Sequence, residues 1–242
     1  MTDEELIDKL FSIEVRDDDR RGIKSYVLRN NTLSGKEKAM VLENRDHLFF
    51  FDKEKRISRN LFSSKNPLVV EIGFGMGDIT WRLAKEHPEL SFLAIDVFMQ
   101  GVVKLLRDAG KAGLDNLLVM RFNAVDALKY MADNDSISGF HIFFPDPWPK
   151  KRHHKRRLLN ESFIELLASK LEKGGYIYFA TDWEEYGNEV LELFGKNENL
   201  VNPYNGFAER KEWRLKTKFE EKGLKENRKI YEIWVEKKRS GN

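Results

Sequence analysis

The sequence predicts an α/β fold built on a mostly parallel sheet with helices on both faces. Three observations carry that expectation. From Leu68 onward, short apolar runs alternate with stretches of helical periodicity. The first run leads straight into a glycine-rich turn, and the next two end in polar residues, Asp96 and Asn123. Strands that alternate with helices of this length need crossover connections, and crossovers place the helices over both faces of a parallel sheet.

The elements follow in order. Residues 1 to about 65 are polar and read as an irregular, partly mobile extension, with a helix over Gly35–His47 whose apolar side is Ala39, Met40 and Leu42. Leu68–Ile72 reads as a buried strand, followed by a helix to about Glu86. Ser91–Asp96 is the second strand, with a helix from Phe98 to about Ala112 behind it. Strands are expected at Leu117–Phe122 and Phe140–Phe144, then a helix at Glu161–Leu171. A strand at Tyr176–Ala180, a helix at Trp183–Phe194 and a last strand near Ile230–Val235 complete the pattern.

Composition narrows the function. The 242 residues contain 42 Lys plus Arg against 40 Asp plus Glu, and no Cys. Without cysteine there is no disulfide framework, no thiolate zinc site and no thiol nucleophile. No apolar run reaches the roughly 18 residues a membrane span demands. The start, Met1–Leu6, is acidic where a secretory leader would be basic, so a cytoplasmic protein is expected. The charges are nearly balanced but segregated. Lys150–Arg157 holds six formal positive charges and no acid, whereas acids gather elsewhere, as at Asp17, Asp18 and Asp19. A single-sign run of this kind suits an anionic macromolecule.

The glycine turn reads Glu71-Ile-Gly73-Phe-Gly75-Met-Gly77-Asp78. Glycines at a strand-to-helix turn let the backbone approach a ligand closely. A dinucleotide fingerprint needs its third glycine one position later, where Asp78 stands, and an acid there would repel a pyrophosphate. A cationic ligand without phosphate, such as S-adenosylmethionine, fits better. Asp96 is then placed to accept ribose hydroxyls, and Asn123, or alternatively Asp126, to meet the adenine edge. The plainer reading makes Asp96 a helix cap and Glu71 a surface acid.

Strand four runs into Pro145-Asp146-Pro147-Trp148-Pro149, which holds three of the chain's six prolines. Proline fixes its own φ and restricts the residue before it, so Asp146 is expected on a rigid loop at the carboxyl edge of the sheet, where open α/β sheets bind ligands. Trp148 either stacks on a base or caps the core. The basic run begins at the next residue and is expected to meet nucleic-acid phosphates. Metal binding is not expected, since His153 and His154 are adjacent and stand among cations.

With these motifs in place, the sequence resembles the bacterial tRNA (guanine-N7-)-methyltransferases. The resemblance rests on Glu71–Gly77, on Phe144–Arg157, on Thr181-Asp182-Trp183, on Thr217–Glu220 and on Ser25–Arg29. It implies a Rossmann-like class I S-adenosylmethionine-dependent methyltransferase fold with a seven-stranded, mostly parallel sheet. The N-terminal extension would cover residues 1–65 and the methyltransferase domain residues 66–242.

The resemblance also implies roles. Glu71, Gly73, Gly75, Gly77, Asp96, Asn123 and Asp146 would contact S-adenosylmethionine, with Asp146 also catalytic. Lys150, Asp182, Thr217, Lys218, Phe219 and Glu220 would hold the target guanosine of the tRNA variable loop, on a stretch that reads as a loop. Lys151, Arg152, His154, Lys155, Arg156 and Arg157 would contact tRNA phosphates. The sequence departs from the family pattern at Asp96, where glutamate is usual, at Asn123, where aspartate is common, and at Arg214-Leu215-Lys216, where a proline usually precedes the threonine. A monomer and a homodimer are both compatible with the sequence. Competing readings are a methyltransferase for another RNA nucleotide, a nicotinamide oxidoreductase and a non-catalytic RNA-binding protein.

Overall fold

Apolar runs long enough for one sheet layer, separated by amphipathic helices, fold here into a single seven-stranded sheet. The structure is a computed structural model and describes residues 1–15, 24–27 and 32–239, except the side chains of Lys218, Phe219 and Lys222. Asp17–Asp19 and the Leu28-Arg29 end of the Ser25–Arg29 motif lie outside the described residues.

The N-terminal region, where described, is packed rather than loose. Helix α1 (Asp3–Lys9) and helix α2 (Gly35–Glu43) each start with a capping box, Thr2 with Glu5 and Ser34 with Glu37. Leu6, Ile7, Leu10 and Ile13 are buried in the core. Helix α2 ends earlier than the sequence suggests and turns into a short 3₁₀ segment, Arg45–His47; it buries Val41, whereas Ala39 faces solvent.

The central elements follow as β1 (Leu68–Ile72), α3 (Thr80–Glu86), β2 (Ser91–Asp96), α4 (Met99–Ala112), β3 (Leu117–Arg121), α5 (Ala124–Met131) and β4 (Ile137–Phe143). Then come α6 (Glu161–Lys170), β5 (Leu171–Thr181), α7 (Glu184–Lys196), β6 (Leu200–Val201), α8 (Lys218–Lys225) and β7 (Tyr231–Lys237). The strand order is β3-β2-β1-β4-β5-β7-β6, with β7 antiparallel to both of its neighbours and the other pairings parallel.

The order of strand addition reverses between the parallel strands β1 and β4, which opens a crevice at their carboxyl ends, the switch point where such sheets bind ligands. Every residue of β1 and β4 is buried, as expected for strands covered on both faces.

Besides α1 and the shortened α2, two further helices differ from the sequence reading. Helix α5 is not expected from the sequence; Asn123 caps it by accepting hydrogen bonds from the Val125 and Asp126 amides. The stretch from Lys218, read as a loop, is helix α8, and Thr217 Oγ1 accepts the Glu220 amide at 3.0 Å. The threonine-x-x-glutamate spacing is a capping signature, masked here by a helix too charged to show a long apolar stripe. Among the described residues, no helix is long and apolar enough to cross a membrane.

Candidate active site

The carboxyl ends of β1, β2, β3 and β4 surround one cavity of about 900 Å³. It is lined by Glu71, Gly73, Gly75, Gly77, Asp96, Asn123 and Asp146, so every residue expected at the cofactor reaches the same space. Thr217, from the cap of α8, lines it too. So do Ser25, Tyr26 and Val27, from the N-terminal region.

The glycine loop adopts the backbone its composition allows. Gly73, Gly75 and Gly77 have φ of 78°, 59° and 66°, the left-handed region in which a Cβ is strained. At Gly73 and Gly75 a Cβ would meet nothing within 4 Å, so the loop backbone faces open space. On its other side the loop is pressed against α4, where a Cβ on Gly101 would come within 1.7 Å of the Gly75 carbonyl oxygen. Gly101 is thus a site residue that the sequence reading missed; its one signal is a glycine on the buried face of an otherwise well-formed helix.

Asp96 ties this loop down. Its Oδ2 accepts the Gly75 amide at 2.8 Å, and its Oδ1 accepts the amides of Val97 and Phe98 at 2.7 and 3.0 Å. Burial raises the proton affinity of this carboxyl and the three amides oppose the rise. Asn123 is similarly engaged, as the cap of α5 and through its own amide to the Ile13 carbonyl at 2.6 Å. The alternative, Asp126, accepts the Val15 amide at 3.2 Å and does not line the cavity. Buried Arg121 donates to the carbonyls of Val97 and Leu10, so the N-terminal segment is fastened to the site's edge.

Glu71 stands apart. It is 5% exposed, lines the cavity, and its Oε2 has no hydrogen-bond partner. Burial, opposed by the Thr80 hydroxyl and reinforced by repulsion from Asp96, pushes its carboxyl up to about 7. A buried carboxylate at a cavity wall with one oxygen unpartnered is suited to a cationic group. S-adenosylmethionine, with an α-ammonium to place against Glu71 and no phosphate to clash with it, fits this donor set. Asp78, read from the sequence as repelling a pyrophosphate, is paired with Lys104 at 2.5 Å.

The proline loop is held in strain. Phe144 and Trp148, each directly before a proline, have φ of 53° and 45°. Bulky residues seldom adopt that conformation, and pre-proline residues are pushed toward extended backbone. Strain of this kind, of order 1–3 kcal/mol per residue, persists only where surrounding structure enforces it. Between the two lies Asp146, exposed and facing the cavity.

Three contacts enforce the shape. The Phe144 amide donates to the Ala180 carbonyl at 2.8 Å, Trp148 Nε1 donates to the Ser25 carbonyl at 3.3 Å, and Arg157 Nε donates to the Pro147 carbonyl at 2.9 Å. The Arg156 guanidinium lies over the Trp148 ring at 4.6 Å, and the His153 ring meets its edge.

The basic run forms a 3₁₀ helix over Lys151–Arg156. With three residues per turn, every third side chain shares a face. Lys150, Lys151, Arg152 and Lys155 are exposed, whereas His153 and Arg156 turn to Trp148. His154 and Arg157 turn to α7, where His154 Nε2 lies 3.5 Å from Glu185. Arg157 is a correction to the sequence reading: its side chain is 1% exposed and ion-paired with Glu189, so it offers no donor to a phosphate.

A family model described as "Putative methyltransferase" matches residues 65–233. The tRNA (guanine-N(7)-)-methyltransferase of Nitrosospira multiformis is 39% identical over 220 residues, covering 90% of this chain and 96% of that protein. The tRNA (guanine-N(7)-)-methyltransferase of Francisella philomiragia is 41% identical over 219 residues, with the same coverage of 90% and 96%. The chain belongs to the tRNA (guanine-N(7)-)-methyltransferase family. Among solved structures, a 30S ribosomal A1408 methyltransferase from an uncultured bacterium superposes with a TM-score of 0.51 at 17% identity, covering 76% of this chain and 95% of that one. That likeness is one of fold.

The acids expected at the target guanosine are engaged differently in this methyltransferase. Glu220 is 2% exposed and pairs with Arg214 at 2.8 Å; Arg214, fully buried, also pairs with Glu232 at 2.6 Å, and Tyr178 donates to Glu232. Glu220, expected to hold the target guanosine, is thus paired inside the protein in this structure. Asp182 Oδ2 lies 2.7 Å from Arg228 and does not line the cavity. Lys150 is exposed outside the cavity, and the side chains of Lys218 and Phe219 lie outside those described. Among the described residues, no group of three or more His, Asp or Glu could hold a metal ion.

Proposed function

We propose that this chain transfers the methyl group of S-adenosylmethionine to N7 of a guanine in the tRNA variable loop, forming 7-methylguanosine. The observation that carries this reading is the meeting, at one cavity, of the buried Glu71 carboxylate, its Oε2 unpartnered, and the strained loop bearing Asp146. Family membership supplies the substrate class.

When bound, S-adenosylmethionine supplies an electrophilic methyl on a sulfonium. The chain's own residues do the rest. Glu71 would hold the α-ammonium and the Gly73–Gly77 backbone would border the ligand, with Asp96 fixing the loop through Gly75. Guanine N7 carries a lone pair and no proton, so no strong general base is needed. Catalysis then comes from alignment and from electrostatics. Asp146, held at the cavity rim, offsets the positive charge that develops on the guanine ring. Lys150, Lys151, Arg152 and Lys155 are the exposed cations suited to tRNA phosphates, and tRNA affinity is expected to fall steeply with salt.

The test is transfer of isotope-labelled methyl from S-adenosylmethionine to unmodified tRNA transcripts, read by nucleoside mass spectrometry. Label in 7-methylguanosine, lost when the variable-loop guanine is replaced by adenine, supports the reading. Label in another nucleoside overturns the base assignment, and no label overturns the activity.

A further inference from the structure

Arg157 sits in a run of cations, yet its side chain is buried and adds nothing to their surface. Its guanidinium reaches in two directions. Toward the proline loop, Nε donates to the Pro147 carbonyl at 2.9 Å. Toward α7, Nη1 donates to Glu189 and Nη2 lies 3.5 Å from Glu185, while the whole group stacks over the Tyr186 ring at 5.0 Å. Nη2 also lies 3.2 Å from His154 Nε2. Tyr186, itself fully buried, accepts the Leu159 amide at 3.0 Å and so closes the far end of the same turn. One buried cation thus connects the residue next to Asp146 with a helix packed against the sheet.

The loop it grips needs gripping. Phe144 and Trp148 hold left-handed backbone on either side of Asp146. A strained loop relaxes unless neighbouring structure determines its shape. The Phe144 end is fixed by the Ala180 carbonyl, through the sheet. At the Trp148 end the Arg157 donation to Pro147 is the contact made by a fully charged, fixed fork, the donor geometry best suited to bracing two partners at once.

We propose that Arg157 is a positioning residue for Asp146: with Glu189 and Tyr186 it latches the Pro145–Pro149 loop into its catalytic shape, and it does not contact tRNA. The proposal rests on the function proposed above for its kinetic readout, though not for its structural one.

The two roles predict opposite signs at Glu189. If Arg157 met a phosphate, removing the acid that pairs with it would free the cation and tighten tRNA binding. If Arg157 is a latch, the same change loosens the loop and slows the reaction. The experiment compares wild type, Arg157→Lys, Arg157→Gln and Glu189→Gln in steady-state methylation of tRNA transcripts, in tRNA binding across a salt series, and in backbone hydrogen exchange.

The latch predicts that kcat falls at least tenfold in Arg157→Gln, because a small misplacement of a catalytic group is costly. Glu189→Gln falls in the same direction, and Arg157→Lys lies between, since a lysine can pair with Glu189 but cannot brace both partners. The tRNA KM stays within about twofold and the salt slope is unchanged, because no phosphate contact is lost. Exchange at the Phe144 and Leu159 amides, which donate to the Ala180 carbonyl and the Tyr186 hydroxyl, quickens in Arg157→Gln and Glu189→Gln.

A raised KM with a salt slope smaller by about one in Arg157→Gln, together with tighter tRNA binding by Glu189→Gln, overturns the proposal. Unchanged exchange in both variants also overturns it. Should Arg157→Gln fail to fold, Glu189→Gln decides by its sign alone. Should wild type transfer no methyl to tRNA, the proposed function fails, and the exchange comparison still decides whether Arg157 is a latch.

Discussion

Two sets of acids stand near the same edge of the sheet, and they are in opposite states. At the cavity, Glu71 is buried and its Oε2 has no hydrogen-bond partner among the described residues. On the C-terminal side, Glu220 and Glu232 are just as buried, but Arg214 and Tyr178 satisfy them, and Asp182 has Arg228. A buried charge left open is costly, and one paired inside is scaffolding. The difference separates Glu71, with an oxygen left open, from the acids that hold the frame, although sequence motifs mark Glu71, Asp182 and Glu220 alike.

The comparison makes predictions of decreasing size. The largest concerns the one acid that is exposed and faces the cavity. Asp146→Ala is expected to lower kcat by about 10²–10³-fold, the scale for losing one group that stabilises developing charge, with tRNA affinity nearly unchanged. A single-turnover assay beside a tRNA-binding titration checks this, and equal turnover would remove Asp146 from the chemistry.

Next, Glu220→Ala leaves Arg214 buried with one partner fewer. It is expected to destabilise the fold by about 3–5 kcal/mol, the cost of breaking a buried pair from one side. Urea unfolding measures this. A variant of wild-type stability that methylates bases other than guanine would restore Glu220 as the reader of the base.

Glu71 is expected to show the reverse behaviour. Its folded carboxyl titrates at about 7, against 4.5 for an ordinary glutamate. Because the folded value is the higher one, the stability linked to this group is complete below the unfolded value and is lost as pH rises through 7. The loss is on the order of 3 kcal/mol. Glu71→Gln removes that loss, so the ligand-free variant is expected to melt higher than wild type at pH 8 while binding S-adenosylmethionine more weakly. A variant that melts lower at pH 8 would mean that Glu71 is structural.

The smallest effect belongs to the exposed cations. Lys151→Ala is expected to weaken tRNA binding uniformly and to reduce the salt slope by about one, with kcat unchanged.

The sequence made the fold legible because β1 and the second half of β4 are mainly apolar runs, alternating with helical stretches, and a glycine turn joins β1 to α3. The cavity was legible for the same reason: strand ends converge by topology, so Glu71, Asp96, Asn123 and Asp146 meet without any contact having to be known. What stayed hidden depends on partners distant in the chain. Arg157 and Glu189 are 32 residues apart, and a run of like charges does not reveal which member turns inward. Glu220 and Glu232 are joined only through Arg214, whose position in sequence looks like an ordinary polar connection. Helix α5 was missed because Asn123 was read as a ligand contact and is also a helix cap.

The claim that the cavity's open carboxylate is kept for a cation is tested most directly by calorimetric titration of S-adenosylmethionine into the protein between pH 5.5 and 7, in two buffers of different ionisation enthalpy. That range lies below the pKa of an α-amino group, about 7.7–8.0, so the ligand's own charge stays nearly constant. With Glu71 near 7, affinity is expected to rise by about tenfold across the range, and binding at pH 5.5 to release close to one proton. Affinity independent of pH, with no proton released, would contradict the account.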